Sequence, residues 1–326
     1  MVAVLCVGET MAVFTPAETG PPEQVRAWTR GVGGAESNVA CALAALGVPV
    51  GWVSAVGDDP FGRAVVASVA QAGVDVSRVL VDPTRPTGLY VKEASRTGSA
   101  VRYYRAGSAA SALGPDLVDR LDLGVVSHVH LTGITAALSP SCLALVRALL
   151  DHPGITTSFD VNWRPALWGP SGPEVLRSLA ARADIALVGD DEAEALWGVS
   201  GPAAVREVLP EPGTVVVKQG AAGATVLAAG SAPVFEPALA VDVVEPVGAG
   251  DAFAAGFLAG LLADHPPARC LRSGHLAAAG ALCTMSDVAV PLPPADVARL
   301  LVADPAAWAA ARISAAGVRD GVAGVR

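Results

Sequence analysis

Residues 245–262 read Glu-Pro-Val-Gly-Ala-Gly-Asp-Ala-Phe-Ala-Ala-Gly-Phe-Leu-Ala-Gly-Leu-Leu, a glycine turn that ends in an aspartate and leads into a long apolar segment. Because this segment is compatible with a helix, Gly248, Ala249 and Gly250 are expected to leave free backbone N–H groups at its start. Free amides at the positive end of a helix dipole bind anions such as phosphate. Asp251 would repel a phosphate, so two other roles are open for it. It is either the N-cap of the helix or a base that takes a proton from a hydroxyl attacking the phosphate.

Upstream of this turn, apolar runs of strand length alternate with segments at helical spacing, which is typical of an α/β fold with a buried parallel sheet. A second glycine turn, at residues 30–34, precedes a helix that ends at Gly47. We therefore predict one doubly wound α/β domain, with its ligand beyond the carboxyl ends of the strands. The predicted strands of the sheet are residues 2–7, 50–56, 74–81, 128–131, 156–160, 185–188, 214–218 and 225–228.

Four further segments carry mixed polar and apolar residues, which indicates strands with one exposed face rather than members of the buried sheet. The last two are joined by Arg96-Thr-Gly-Ser99 into a hairpin. We predict that these segments, residues 12–15, 25–28, 87–92 and 100–105, form a small antiparallel β lid over the ligand site. The predicted division is an α/β domain at 1–11, 31–85 and 108–315, a lid at 12–30 and 86–107, and a loose tail at 316–326.

The composition limits the classes of function. The chain has 326 residues, 52% of them hydrophobic, so it can bury a large core. A net charge of -9 argues against nucleic-acid binding, and the longest apolar runs are too short to span a bilayer. Five cysteines without a C-x-x-C pair, each in an apolar neighbourhood, indicate free thiols in a reducing compartment. We therefore expect a cytoplasmic protein without a nucleic-acid or membrane partner.

Two polar clusters follow predicted strands and could line the ligand site. Lys218-Gln-Gly-Ala-Ala-Gly223 suits a turn beside a nucleotide, although glycine turns after strands are also common without any ligand. Asp160-Val-Asn-Trp-Arg164 ends another strand. Its arginine could clamp a carboxylate or phosphate, or form ordinary surface ion pairs. Neither glycine turn matches the Walker pattern G-x-x-x-x-G-K-[ST], so a Walker-type fold is not supported.

The predicted lid hairpin carries all three tyrosines of the chain. A period of two places Tyr90 and Lys92 on one side of their strand, and Arg102 and Tyr104 on one side of theirs. These side chains either cover a ligand or pack against each other across the hairpin. Lys92 and Lys218 are the only lysines, so a lysine at either position is informative. The five histidines show no spacing typical of metal ligands.

Together these motifs resemble a known family. Gly33-Gly34 with Asn38 near the start, and Gly248-Ala249-Gly250-Asp251 near the end, are similar to the two signatures of the ribokinase-like (PfkB) carbohydrate kinases. Tyr90 and residues 102–111 and 160–168 are similar to the 2-keto-3-deoxygluconate kinases of that family. The resemblance covers residues 2–295 and implies a ribokinase-like fold, with helices on both faces of a mostly parallel sheet. It also implies a kinase that uses ATP and Mg²⁺ to phosphorylate the terminal hydroxyl of 2-keto-3-deoxygluconate.

The resemblance implies a role for each matching residue. Asp251 would be the catalytic base, and Gly248, Ala249 and Gly250 would form the anion hole for the transferring phosphoryl group. Glu192 would serve Mg²⁺. Sugar contacts would come from Gly33, Gly34, Asn38, Tyr90, Arg102, Tyr104, Arg164, Asp251 and Asp287. ATP contacts would come from Asn162, Arg164, Lys218, Gly220, Gly223, Gly248 and Gly250.

The chain departs from the family pattern at two places. Glu245-Pro246 stands where the family has Asp-Thr, so the coordination of K⁺, a further ion expected for this loop, would change. Gly189-Asp-Asp-Glu192 stands where the family has Asn-x-x-Glu, so Asp190 or Asp191 would help to hold the hydration shell of Mg²⁺. A homo-oligomer formed through the lid is also expected.

Other functions stay open from the sequence. A fructokinase or another sugar or nucleoside kinase would share most of these motifs. A sugar or nucleotide sensor without catalysis could use the same fold, because fold does not determine function. Asp251 favours a kinase over a sensor, which would not need a base. A Rossmann dehydrogenase is excluded, since no G-x-G-x-x-G follows the first strand.

Overall fold

A sheet of nine strands forms the centre of the structure, a computed structural model that describes residues 3–18, 20–95, 98–284 and 291–320. Its strands are β1 (Val4–Val7), β4 (Val50–Gly57), β5 (Val79–Asp82), β8 (His128–Thr132), β9 (Thr156–Asp160), β10 (Ile185–Gly189), β11 (Thr214–Lys218), β12 (Gly223–Ala228) and β13 (Val234–Pro237). Their order is β13-β12-β11-β10-β9-β8-β1-β4-β5. The pairs from β11 to β5 are parallel, and β12 and β13 add an antiparallel edge.

Helices cover both faces of the sheet, because successive side chains of each buried strand point to opposite sides. Along β1, Leu5 and Val7 join one hydrophobic cluster, and Val4 and Cys6 join the other. The predicted doubly wound, mostly parallel fold is confirmed. The helices are α1 (Ala35–Ala45), α2 (Pro60–Gln71), α3 (Gly133–Ala137), α4 (Pro140–Leu150), α5 (Gly172–Ala180), α6 (Asp190–Trp197), α7 (Pro202–Val208), α8 (Ala249–Leu262), α9 (Pro267–Leu282), α10 (Pro294–Leu301) and α11 (Pro305–Ala310). Among the described residues, no helix is long and apolar enough to cross a membrane.

The lid is a separate sheet of four strands. They are β2 (Met11–Pro16), β3 (Trp28–Gly33), β6 (Leu89–Ser95) and β7 (Gly98–Tyr104), in the order β3-β2-β6-β7. The outer pairs are antiparallel, and the central pair β2/β6 is parallel. The strand predicted at 25–28 is wrong, because the observed strand starts at Trp28 and runs into the glycine turn. Gly33 therefore ends a lid strand, and the lid connects directly to the start of α1.

The described part of the chain ends in strands rather than in helices. After α11, β15 (Ala311–Ser314) and β16 (Gly317–Asp320) pair with each other, and β14 (Ala240–Val241) pairs with β15. The predicted loose tail is thus wrong for residues 317–320, and residues 321–326 lie outside the described part of the chain. Burial of alternate residues of β15 stabilises this pair of strands, since Ala311 is 0% and Ile313 is 1% exposed.

Candidate active site

A cleft of about 790 Å³ opens at the carboxyl edge of the central sheet, beside the lid. This is the position expected for the ligand of an open α/β sheet. The strand ends of β9, β10 and β11 supply Asp160, Gly189 and Lys218 to its lining. Of the residues predicted for the site, the cleft brings together Gly33, Gly34, Asn38, Tyr90, Asn162, Arg164, Glu192, Lys218, Gly220, Gly248, Gly250 and Asp251.

Asp251 lies in the first turn of α8, where the glycine turn ends. The N-cap of α8 is Gly248, whose left-handed φ of 85° suits a glycine. The carboxylate of Asp251 accepts hydrogen bonds from Nδ2 of Asn38 at 2.9 Å and from Nδ2 of Asn162 at 3.4 Å. The alternative of a capping aspartate is therefore wrong, and the carboxylate is held at the cleft by two amides.

Burial raises the pKa of Asp251 to about 7. The hydrogen bond from Asn38 lowers this pKa, the negative charge of Asp160 raises it further, and the charges of Arg164 and Lys218 lower it. A general base works best when its pKa lies near the working pH, because it is then both ionised in part and able to accept a proton. The environment of Asp251 thus suits proton transfer at neutral pH.

Lys218 forms an ion pair with Asp160 at the strand ends. Its Nζ lies 2.8 Å from Oδ1 and 2.7 Å from Oδ2 of Asp160, which is 1% exposed. Burial acts to lower the pKa of Lys218, but the charges of Asp160 and Glu192 outweigh it and raise the pKa above its ordinary value. The ammonium group therefore stays charged at neutral pH and provides a fixed cation in the cleft.

Glu192 lies in the first turn of α6, and both of its carboxylate oxygens accept backbone hydrogen bonds. Oε2 accepts from the N–H of Gly189 at 2.6 Å, and Oε1 accepts from the N–H of Trp163 at 2.7 Å. Burial raises the pKa of Glu192. The adjacent Asp191 is exposed and also lines the cleft. Asp190 instead accepts from the N–H of Gly201 at 2.6 Å.

The carboxylates of Glu192 and Asp191 fit Mg²⁺, which binds through few protein ligands, better than they fit a metal that is coordinated by protein side chains alone. Among the described residues, no group of three or more His, Cys, Asp or Glu side chains could hold a metal ion. Mg²⁺ usually keeps several waters and binds through one or two carboxylates together with substrate phosphates. Glu192 and Asp191 supply such carboxylates, since each ionised oxygen has lone pairs beyond those used by a single backbone N–H.

Gly34 is required by a close approach of two backbones. It is the N-cap of α1, and a Cβ atom there would collide with the carbonyl oxygen of Glu9. The start of α1 therefore lies directly against the segment that follows β1. Asn38, in the first turns of α1, is 7% exposed and reaches Asp251 from this position.

Glu9 and Arg105 line the cleft but were not predicted as site residues. Glu9 is 2% exposed and accepts hydrogen bonds from Nε of Arg105 at 2.7 Å and from Oγ of Ser108. A charged residue directly after the buried strand β1 was the available signal for Glu9. Nothing in the local pattern connects it with Arg105, because 96 positions separate the two residues.

The prediction that Arg102 and Tyr104 face the ligand is wrong by one position along β7. In the register of β6 and β7, Tyr90 lies opposite Tyr103, and the two ring centroids are 5.5 Å apart. Tyr103 and Arg105 line the cleft with Tyr90, whereas Arg102 and Tyr104 do not. Because side chains alternate along a strand, these two point to the other face, where Tyr104 is 57% exposed.

Two other predicted residues, Gly223 and Ala249, do not line the cleft. Gly223 has a φ of 142°, and a Cβ atom there would collide with the carbonyl oxygen of Glu236, so the backbone at the start of β12 requires a glycine. Ala249 is the first residue of α8 and lies between two glycines that do line the cleft. Asp287 lies outside the described residues.

Comparisons with known proteins identify the family of this chain. A family model described as pfkB family carbohydrate kinase matches residues 1–293. The chain is 38% identical over 264 residues to a 2-dehydro-3-deoxygluconokinase of Bacillus subtilis (strain 168), a match that covers 78% of this chain and 82% of that protein. It is 36% identical over 279 residues to a 2-dehydro-3-deoxygluconokinase of Thermoproteus tenax, covering 83% of this chain and 85% of that protein.

A solved structure shares the fold as well. The crystal structure of a PfkB protein from Polaromonas sp. JS666 matches with a TM-score of 0.80 and 34% sequence identity, over 88% of this chain and 98% of that one. The family model extends over both glycine turns and the strands between them. The chain therefore belongs to the pfkB family of carbohydrate kinases.

Proposed function

We propose that this sugar kinase transfers the γ-phosphoryl group of ATP to the terminal hydroxyl of 2-keto-3-deoxygluconate. The observation that carries the proposal is Asp251, a carboxylate with a pKa near 7 directly behind the glycine turn at the start of α8. Two relatives that act on 2-dehydro-3-deoxygluconate, which is another name for this acid sugar, support the choice of substrate.

In the proposed mechanism, Asp251 takes the proton of the terminal hydroxyl while the hydroxyl oxygen attacks the γ-phosphorus in line with the leaving oxygen. Asn38 donates to the carboxylate of Asp251 and fixes its orientation. The backbone amides from Gly248 to Gly250 and the dipole of α8 stabilise the negative charge on the transferring group. Lys218, held by Asp160, adds a positive charge near the phosphates.

Mg²⁺ is assigned to Glu192 and Asp191, which offer carboxylate oxygens at the cleft. When bound, the ion would supply positive charge to the phosphate groups of ATP. In the loop expected to hold K⁺, Oε2 of Glu245 lies 3.9 Å from Nζ of Lys92. A requirement for K⁺ stays a prediction, as does the cytoplasmic location.

The acid sugar needs a cation for its carboxylate, and Arg164 is the residue we assign to it. The guanidinium of Arg105 is already paired with Glu9. Arg164 is exposed and lines the cleft, and its Nη1 donates to the carbonyl oxygen of Trp163 at 2.9 Å. Among the described residues it forms no ion pair with a carboxylate, so its charge is available to an anionic substrate. A planar guanidinium matches a carboxylate through two parallel hydrogen bonds.

The lid is also assigned a role in assembly. Its face opposite the cleft carries Tyr104, which is 57% exposed, and an exposed tyrosine supplies contact area at protein interfaces. A second copy of the chain is the proposed partner of this face. Light scattering after size exclusion is expected to give a homo-oligomer, and a monomer at all concentrations would contradict it.

The experiment that tests the function is an ATP-consumption screen with purified protein over keto-deoxy acids, hexoses, pentoses and nucleosides. The expected result is the highest kcat/KM on 2-keto-3-deoxygluconate. A preference for fructose would overturn the acid-sugar assignment and leave the sugar-kinase conclusion in place. Failure to consume ATP with every sugar, by protein with a normal thermal unfolding transition, would contradict the catalytic mechanism itself.

A further inference from the structure

A second cavity, of about 500 Å³, lies between helices α1, α8, α9 and α10. We call it the rear cavity. It shares no lining residue with the cleft, and its walls are mostly apolar. Its volume falls in the range of sites that hold small ligands. The residues used below to define it are Leu46, Ala259, Arg269, Leu276, Leu292 and Val297.

Arg269 is the cationic residue in the wall of the rear cavity. Within the part of the chain that the structure describes, its guanidinium donates no hydrogen bond and forms no ion pair. Its Nε is shut off from solvent, and so is Nδ1 of His265, a second polar residue of the same wall. A buried donor without an acceptor is unfavourable, and native structures contain few of them.

The next arginine on α9, Arg272, shows how hydrogen-bond acceptors of the protein pair with a guanidinium group whose role is structural. Nε of Arg272 donates to Oε2 of Glu236 at 3.0 Å, and its Nη1 donates to the carbonyl oxygen of Ala303 at 2.6 Å. The guanidinium also lies over the ring of Trp308, 4.8 Å from its centroid.

We propose that the rear cavity binds a small carboxylic acid with an apolar body. The carboxylate binds the guanidinium of Arg269, which offers a fork of N–H donors that matches it. The apolar body lies among Leu46, Ala259, Leu276 and Val297 and gains from removal of its surface from water. The ligand supplies two things that the described residues do not provide here, an acceptor for the arginine and a filling for the apolar space.

The proposed ligand is not the sugar substrate. Asp251 lies in the first turn of α8, whereas the rear cavity is lined by the later turns at Gly256, Ala259 and Gly260. The mainly apolar walls offer too few polar groups for the many hydroxyls of a sugar, whose desolvation would be unfavourable. Binding in the rear cavity is therefore a property separate from the kinase activity, and it does not depend on the identity of the sugar.

The test uses sodium octanoate as the probe and isothermal titration calorimetry on the full chain. Octanoate is expected to bind saturably at one site per chain at low millimolar concentrations. Acetate lacks the apolar body and octylamine lacks the anion, so neither is expected to saturate. Arg269→Met is expected to lower the affinity for octanoate at least tenfold, because it removes the charge-assisted hydrogen bonds. Arg299→Met, a matched loss of charge on α10 outside the rear cavity, is expected to leave the affinity unchanged.

Both variants are expected to keep sugar-kinase activity, which shows that they fold. Ala259→Leu, which fills the rear cavity without changing charge, is a second route to the same loss of binding. Absence of saturation, or equal affinity of Arg269→Met and the wild type, would overturn the proposal. So would competition by MgATP together with the sugar, which would place octanoate in the cleft. Octanoate-independent association of two chains through this face would assign the cavity to a second copy and also overturn it.

Discussion

The surroundings of Asp251 support its proposed role as the base. Two amides hold its carboxylate, and burial raises its pKa to about 7. Asp251→Asn is expected to keep the fold and ATP binding but to lower kcat by roughly 10²–10⁴-fold, the usual contribution of a general base. Steady-state kinetics with calorimetric ATP binding would check this. Asp116→Asn, at an exposed ion pair with Arg120, is the control and should leave kcat unchanged. A kcat above about a tenth of the wild-type value in Asp251→Asn would contradict the role of base.

The pH dependence of the reaction follows from the same pKa. The base must be ionised, so kcat/KM is expected to fall as the pH drops below about 7. The hydrogen bond from Asn38 lowers the pKa of Asp251, so Asn38→Ala is expected to move this acid limb to higher pH. Rate profiles of the two proteins from acid to alkaline pH would show the shift. An unchanged limb in Asn38→Ala would mean that another group controls the profile.

The raised pKa of Asp251 also affects the stability of the fold. This effect weakens as the pH rises, whereas the expected activity increases. Between the ordinary pKa of an aspartate and about 7, the folded state holds a proton that the unfolded state has lost. This contribution of Asp251 to stability is present at low pH and is lost as the pH rises through the folded-state pKa. The carboxylate that we propose as the base therefore destabilises the fold in its ionised form, the form that the proposed mechanism requires.

Arg164 is expected to decide between acid and neutral sugars. Charge-assisted hydrogen bonds contribute about 1.5–3 kcal/mol each, and about 1.4 kcal/mol corresponds to a factor of ten. Arg164→Met is therefore expected to lower kcat/KM for 2-keto-3-deoxygluconate by about 10–10³-fold and to spare fructose. Kinetics on the two sugars would compare the losses. Equal losses on both would show that Arg164 serves ATP or the fold.

At the scale of the element, the lid illustrates what alternation does and does not predict. A period of two shows that neighbouring residues of β7 face opposite sides, but it does not show which side faces the cleft. The pairing with β6, in which Tyr90 lies opposite Tyr103, decides which residues of β7 face the cleft. That pairing depends on the path of the hairpin in space, so Tyr103 rather than Tyr104 could not be chosen from the sequence.

The two adjacent tyrosines of β7 offer a matched test of the lid. Tyr103 lines the cleft with Tyr90, and Tyr104 lies on the opposite face. Tyr103→Ala is expected to raise the KM for the sugar severalfold and to leave the KM for ATP nearly unchanged. Tyr104→Ala removes the same side chain from the other face and should change neither KM by as much. A larger effect of Tyr104→Ala, in protein whose oligomeric state is unchanged, would assign the sugar contact to the opposite face of the lid.

For the whole molecule, local motifs predicted the fold and part of the site, and long-range partners escaped prediction. The glycine turn before Asp251 and the apolar strands are continuous in sequence, so their local conformation could be inferred. The ion pair of Lys218 with Asp160 joins residues 58 positions apart, and it forms only because β9 and β11 end at the same edge. The strands after α11 were missed because short apolar segments at a chain end resemble a disordered tail.

This last region carries a prediction about the stability of the whole chain. The family model ends at residue 293, yet α10, α11, β15 and β16 continue beyond it. Trp308 is 1% exposed in their hydrophobic cluster, and its Nε1 donates to the carbonyl oxygen of Pro237 at 2.8 Å.

Trp308 is one of several contacts between residues 305–314 and the segment before the glycine turn. In the same region β15 pairs with β14, and the N–H of Asp242 donates to the carbonyl oxygen of Ile313. Trp308→Ala would leave a large cavity and an unpaired carbonyl, and is expected to lower the free energy of unfolding by about 3–5 kcal/mol. Trp308→Phe keeps most of the packing and should cost less, about 1–3 kcal/mol for the lost hydrogen bond. Urea unfolding of the three proteins would give these values. A loss below about 1 kcal/mol in Trp308→Ala would show that residues 294–320 add little to the stability of the kinase fold.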